Sequence, residues 1–301
     1  SILSSISSLF CLTCVTPILN KLVPTGLVSW YTLSLLSKSA AVTFPVLLLL
    51  IHWYQQRLWT KSNLLRFLPF FLLALVFSII SLLTQTPQEN IAFFKSYNAV
   101  DRIFLTFYSI AFYALHYFVP VGLCVFHPFP TKVNGWLPWD YYLAPLVVIG
   151  LIALLFIRWK DQRMMKFALG FFFLHIVLYL HFFPVGSAVV AERYTYIAYI
   201  GLSIAVAQGA ITIASHFQWT KKTLVPILLI ITILFSSITY SRVKIWNNTI
   251  SLFDDAIKKT GLTICSTGML SMGYHARAKA YMLEKNYENA IADLDSAALY
   301  N

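Results

Sequence analysis

Apolar runs long enough to cross a bilayer recur along the first 240 residues, broken by short polar gaps rich in Lys and Arg. The runs are continuous and do not alternate in and out. That pattern predicts helices and argues against an outer-membrane barrel. Eight spans are expected, at about 2–19, 25–37, 40–55 (carrying Pro45), 67–85, 142–157, 167–184, 190–215 and 224–240. The expected fold is therefore all-α, a polytopic helical membrane domain over 1–240, followed by a helical tail over 245–301.

The gaps fix an orientation. Gaps 20–24, 56–66, 158–166 and 216–223 hold one, three, four and two Lys plus Arg, and all four fall on one side. The longer segments of the other side hold five: Lys38, Lys95, Arg102, Lys132 and Arg193. The positive-inside rule places the basic gaps in the cytoplasm. Region 86–141 must then begin and end outside, as an outer-side lip. Its apolar part, 102–126, is expected as a short hairpin or an element lying in the membrane interface. Pro120 and the rings of Phe104, Phe107, Tyr108, Phe112, Tyr113, Tyr117 and Phe118 suit that place. A plain transmembrane helix here is the alternative, and it would invert everything upstream.

Past residue 240 the chain changes character. Six of its eleven acidic residues lie in 245–301. The parity puts this tail on the periplasmic or lumenal side, so Cys265 should react with an impermeant thiol reagent. Asn247-Asn248-Thr249 is a glycosylation triplet on that same face. Residues 271–301 fit a tetratricopeptide (TPR) repeat. Ala278 takes the small slot of its first helix and Tyr281 the aromatic slot. Asn286 lies in the turn, Ala290 at the helix crossing, and Leu294 and Ala297 at packing positions. Trp246, Leu252, Phe253 and Ala256 read as a preceding second helix. One repeat cannot bury its own face, so further repeats are expected to follow.

Composition agrees with a membrane chain. Of 301 residues, 59% are hydrophobic and 11% charged, against about a quarter charged in a soluble domain. Mean hydropathy is +0.73. A soluble enzyme could not hide this much apolar surface, and disorder is excluded for the same reason. The net charge of +11 sits in the gaps, so it reports topology and not a nucleic-acid partner. Cys11 and Cys14 form a CxxC inside an apolar stretch without a second ligand pair, which reads as packing and not as zinc or redox chemistry. The chain begins at Ser1 without Met, and the repeat is cut short; it is expected to be a piece of a longer protein.

Charge in or near a bilayer is costly and points to function. Lys38, between two apolar runs, is either a phosphate contact or a snorkelling Lys at a helix end. Arg193 opens the seventh span within Val-Val-Ala-Glu-Arg-Tyr-Thr-Tyr. There its bidentate donors and the helix dipole suit a phosphate or carboxylate. Glu192 could orient Arg193 or act as a base, and the bland reading is a Glu–Arg pair capping the span. Tyr194 and Tyr196 could stack on a sugar or sit in the interface belt. Arg102, opening the lip after Asp101, could bind a headgroup phosphate or only anchor the lip. His52, His175 and His181 lie on apolar faces as packing residues, and their spacing makes no metal motif. No phosphate loop, GxSxG or HExxH is present, so nucleotide-driven transport or hydrolysis has no support.

Several motifs resemble the transmembrane and tetratricopeptide-repeat O-mannosyltransferase family. They are Ser37-Lys38 with Ala41-Val42-Thr43-Phe44-Pro45, Arg102-Ile103-Phe104-Leu105-Thr106-Phe107 with Pro120, and Ala191-Glu192-Arg193-Tyr194-Thr195-Tyr196 with Ile200-Gly201. The order of these motifs, ending in a repeat-bearing tail, covers nearly the whole chain. The resemblance implies a C-type glycosyltransferase fold. It also implies a polyprenyl- or dolichyl-phosphate sugar as donor, no nucleotide or other cofactor, and a protein Ser or Thr as acceptor. Mannose is the sugar in the eukaryotic relatives. Lys38, Arg193 and Arg102 would hold the lipid phosphate, Tyr194 and Tyr196 would meet sugar or acceptor, and the repeats would select the acceptor protein. The family's key carboxylate lies in a first outer loop, and this chain is expected to start after that loop, so the resemblance implies a base outside it; Glu192 is a secondary candidate within it. His52 stands where relatives often carry an acidic residue. The membrane implied is a bacterial inner membrane or an endoplasmic reticulum. A non-enzymatic scaffold with TPR docking, or a carrier of lipid-linked sugar, are the competing readings.

Overall fold

The structure, a computed structural model, describes residues 25–56, 58–84, 96–125, 127–130, 132–159, 162–181, 188–216, 221–262 and 267–300. The first expected span at 2–19, the Cys11–Cys14 pair, the gap at 20–24 and Cys265 lie outside the described residues. The chain divides into two units, Ser1–Pro87 and Gln88–Asn301.

In the first unit α1 (Thr25–Ser37) is followed by a 3-10 turn (Ser39–Thr43), α2 (Phe44–Tyr54), α3 (Lys61–Leu65) and α4 (Leu68–Thr84). Pro45 lies in the first turn of α2, where its missing N–H costs no helical bond. Tyr31, Phe44 and Phe70 meet as a ring cluster with centroids 5.1–5.8 Å apart, and Leu35 and Leu48 complete the core. His52 is buried, with Nε2 3.3 Å from the Leu58 carbonyl and its ring edge-on to Trp59 and Phe67. It is a packing residue there.

The second unit holds α5 (Ala99–Phe118), β1 (His127–Pro128), α6 (Trp139–Trp159), α7 (Arg163–Ile176) and a 3-10 turn (Val177–Tyr179). Then come β2 (Ala188–Val190), a second turn (Glu192–Tyr194), α8 (Thr195–His216), α9 (Lys221–Ile245), α10 (Thr249–Leu262), α11 (Thr267–Leu283) and α12 (Tyr287–Leu299). The two short strands pair antiparallel, His127 with Val190 and Pro128 with Ala188. The architecture is thus helical apart from this ribbon.

Three helical stretches are long and apolar enough to cross a membrane: Asn63–Ser81, Glu192–Ala214 and Val225–Ile245. Ala40–Tyr54 and Trp139–Leu155 are apolar but shorter. Span-length apolar helix is shown for these three; over the expected 167–184 span the helix α7 ends at Ile176 and a 3-10 turn follows.

The lip differs from expectation. Its apolar part is one 20-residue helix, α5, and not a hairpin. Asn98 and Asp101 exchange backbone hydrogen bonds of 2.9 and 2.8 Å in a capping box that starts it. Much of the aromatic run packs inside the protein, while Phe118 is exposed. Phe112 and Tyr113 are buried, and Phe104, Tyr108 and Tyr117 pack against the same core with Tyr141, Phe172 and Ile176. Ring stacking inside the protein, such as Tyr108 on Tyr141 at 4.0 Å, holds these side chains.

Two helix seams organise the rest. Along α7–α8 small residues face one another: Ala168, Ala198 and Ala205 are buried. A Cβ on Gly201 would stand 2.6 Å from the Ala168 carbonyl oxygen and 2.8 Å from the Phe172 nitrogen. Such seams let helix backbones approach closely in an apolar setting. In the tail, α10, α11 and α12 pack in sequence. The turn between α11 and α12 has Lys285 at φ 61°, and the Asn286 side chain then caps α12 at the Asn289 N–H. Ala278, Ala290 and Ala297 are buried at the crossing, as the spacing predicts. The Arg277 guanidinium joins three helices. It donates to both carboxylate oxygens of Asp293 at 2.7 and 2.8 Å, and to Asp254 Oδ1 at 3.0 Å.

Candidate functional site

The approach to α8 is built on α5. Ser109 donates to the Leu105 carbonyl at 2.9 Å, lies 3.0 Å from His181 Nε2, and sits 3.2 Å from the Val189 carbonyl. His181 Nε2 is itself 2.8 Å from that carbonyl. Two residues on, the Ala191 N–H donates to the Tyr113 hydroxyl at 3.2 Å. Leaving buried groups like these unpaired would cost about 1–3 kcal/mol each, so the bonds fix where residues 192–194 emerge.

Glu192 and Arg193 then reach back to one short segment. Glu192 Oε1 accepts the Cys124 N–H at 2.8 Å, and Arg193 Nη1 donates to the Val125 carbonyl at 3.2 Å. Lys259 of α10 donates to the Leu123 carbonyl and to Asp255. Backbone groups of three consecutive residues are thus held by three side chains from two distant elements. Glu192 does not pair with Arg193; its other neighbour is His127, with Nε2 3.6 Å away. The simple Glu–Arg cap is corrected: the loop after α5 offers both side chains better-placed partners.

Aromatic support completes the setting. The Arg193 guanidinium lies 5.2 Å from the Tyr194 ring centre, and Tyr194 stacks on Tyr179 at 4.0 Å with planes 3° apart. One face of Tyr194 is therefore already covered. Tyr196 is 84% exposed. Arg193 itself is exposed, and Nη1 is the nitrogen it gives to Val125. His116 stacks on Phe112 at 3.6 Å, with its ring nitrogens 3.1 and 3.0 Å from the Phe112 and Val121 carbonyls. A neutral imidazole can donate to only one of these. Burial pushes the His116 imidazole down, the Phe112 carbonyl opposes this, and His127 adds to the lowering.

Within the second unit the two expected phosphate-binding cations, Arg102 and Arg193, are not gathered into one place. Arg102 sits half-buried in the first turns of α5. Roughly 16 Å of helix separates it from Tyr113, the α5 residue that positions Ala191. Beside it, Asp101 is buried and paired with Lys132. Lys38 belongs to the first unit, where it is exposed and precedes the 3-10 turn. Arg193 and Tyr196 are the accessible members around α8. Cys124, His127, Tyr179 and Lys259 carry the loop geometry and were not singled out from sequence. Among the described residues no group of three or more His, Cys, Asp or Glu is arranged to hold a metal ion.

No protein family, curated protein or solved structure matches this chain.

Proposed function

We propose that this protein is part of a membrane glycosyltransferase that takes a sugar from a polyprenyl or dolichyl phosphate. The sugar, mannose by the resemblance of its motifs, passes to a protein hydroxyl on the outer or lumenal face. The observation that carries this reading is Arg193. Its exposed guanidinium is braced by the Val125 carbonyl and the Tyr194–Tyr179 stack, at the head of a span-length apolar helix. A fixed cation at that depth is suited to a phosphate whose charge grows as the sugar leaves.

In this reading a carboxylate takes the proton of the acceptor hydroxyl as its oxygen attacks the anomeric carbon. The bond from that carbon to the phosphate oxygen breaks, and Arg193 stabilises the leaving lipid phosphate. Glu192 acts as a positioning residue, because its Oε1 is engaged by the Cys124 N–H. Tyr196 is the exposed ring available to sugar or acceptor. Lys38 is a separate candidate contact for lipid phosphate. The remaining expected spans, to a total of eight, and a TPR solenoid that presents the acceptor belong to the same proposal. The α11–α12 hairpin with its buried alanines supports the repeat.

The test is transfer of radiolabelled mannose from polyprenyl or dolichyl phosphate to peptides, by the natural polypeptide carrying this chain. Arg193→Ala should lower the rate on the order of 10²–10³-fold. Undiminished transfer in that variant removes Arg193 from the donor site. No transfer from any lipid-linked sugar by folded protein favours the membrane scaffold.

A further inference from the structure

The stretch 127–139, rich in proline and aromatic residues, is unused by the reading above, and it carries a built apolar tip. Val133 and Trp136 form a two-residue hairpin, exchanging N–H···O bonds of 3.0 Å in both directions. Its turn residues, Asn134 at φ 52° and Gly135 at φ 84°, have the left-handed conformation that an Asn-Gly turn favours. The base is fastened on both sides. Lys132 pairs with buried Asp101, and the Tyr97 hydroxyl donates to the Pro130 carbonyl at 3.0 Å. Leu137 is buried, and its N–H donates to the Tyr142 hydroxyl at 3.2 Å.

This support displays three large apolar side chains: Val133 is 66%, Trp136 69% and Trp139 74% exposed. Trp139 begins α6, whose two faces differ. Tyr141, Ala144 and Val148 are buried on the α5 side, while Leu143, Leu146, Leu154 and Ile157 continue the exposed apolar surface. From Leu143 to Phe156 no side chain can form a hydrogen bond. The apolar helix Trp139–Leu155, about 25 Å at 1.5 Å per residue, is at the short end of what crosses a bilayer's hydrocarbon core. Arg158, Lys160, Arg163 and Lys166 cluster at the far end.

We propose that the 132–139 hairpin is a lipid-binding element. Trp136 and Trp139, with Val133 at the tip, insert into the interfacial layer of the bilayer that α6 spans, at the end opposite its basic cluster. The occupant is phospholipid and not protein for two reasons. The displayed side chains are apolar apart from the exposed Asn134 amide at the turn, which a headgroup layer can hydrate, and tryptophan favours the membrane–water boundary. At the tip the Val133 and Trp136 backbone groups also satisfy one another, which lowers the cost of entering the interfacial layer. The proposal rests on α6 lying in the membrane.

The test places a nitroxide at Val133→Cys in protein whose Cys11, Cys14, Cys124 and Cys265 are replaced by Ser, in nanodiscs of phosphatidylcholine and phosphatidylglycerol. Leu146→Cys and Lys258→Cys serve as lipid and water references. Relaxation by oxygen against a nickel chelate should place residue 133 at a depth between the two. If 133 matches Lys258, or is shielded from both reagents by protein, the hairpin is not a lipid element. If 146 itself is water-exposed, α6 is not in the bilayer, and the proposal falls with that premise. With native cysteines kept, brominated lipid reads the same two indoles. Trp136→Phe with Trp139→Phe should remove at least about a quarter of the quenchable emission, since the two are among 8 tryptophans in all; unchanged quenching overturns the proposal.

Discussion

The α7–α8 seam and the α10–α12 tail both bring helices close through small residues, but they hold them by different means. In the seam the contact is backbone against missing side chain, with Gly201 against the Ala168 carbonyl, and among the described residues no ion pair crosses it. In the tail, buried alanines set the distance and one guanidinium, Arg277, fixes three helices in register. Apart from the Gln162 amide at the start of α7, which meets Thr212 and Gln208 of α8 at 3.5 and 3.4 Å, apolar surroundings leave the seam mainly shape to specify it. The tail adds charge, whose geometry is directional. The seam should therefore fail on steric change and the tail on loss of a hydrogen-bonding pattern.

The largest effect is expected at the seam. Gly201→Ala already places a carbon under 3 Å from two backbone atoms, so α7 and α8 must separate. Loss of about 3 kcal/mol or more is expected, read as a lower thermal midpoint or loss of monodisperse protein in detergent. A variant as stable as wild type would show that the seam is not the tight element described. Next comes Arg277→Leu, which strands Asp293 in a buried site and should cost about 2–4 kcal/mol of tail stability by urea unfolding. Arg277→Lys should recover little, because one ammonium cannot reproduce the forked contact. Near-complete rescue by Lys would reduce the register argument to simple charge.

A smaller effect is set by pH. Burial alone would raise the Asp255 carboxyl, but Arg242 and Lys259 outweigh it and hold the group below its ordinary 3.8. Its stabilising contribution is then present above that value and lost as pH falls through the lowered one. Tail stability measured from pH 6 downward should fall more in wild type than in Asp255→Asn, with the two converging in acid. The mildest case is Gly273→Ala. There the obstacle is the Ile257 side chain, with Cγ1 at 3.0 Å, so a change within about 1 kcal/mol is expected.

Much of the helical layout was legible because apolar runs are continuous and the gaps are polar. The Asn286 cap and the Ala278, Ala290 and Ala297 positions were legible for a local reason: turn chemistry and helix crossing repeat at fixed spacing. The orientation of α5 was not. Its rings occur at 104, 107, 108, 112, 113, 117 and 118, too evenly around the helix for periodicity to name a buried face. The site was legible only as the pair Glu192 and Arg193. Their partners lie 68 residues away in a loop whose backbone, not its side chains, makes the bonds. A backbone amide leaves no signature in sequence. For the same reason α8 and α9 read alike as apolar runs, although a third of the α8 window is buried and none of the α9 window is.

The nature of the obstacle at Gly201 also bears on how this chain can vary over evolution. Every amino acid at 168 or 172 carries the same carbonyl and nitrogen, so no second substitution at either position can make room for a larger residue at 201. Gly273 is different, since a shorter side chain at 257 would open the space. Position 201 is therefore closed to compensatory change, whereas 273 and 257 can drift as a pair. Among relatives that keep this packing, an invariant glycine in α8 and a covarying pair between α10 and α11 would be the trace left by these two contacts.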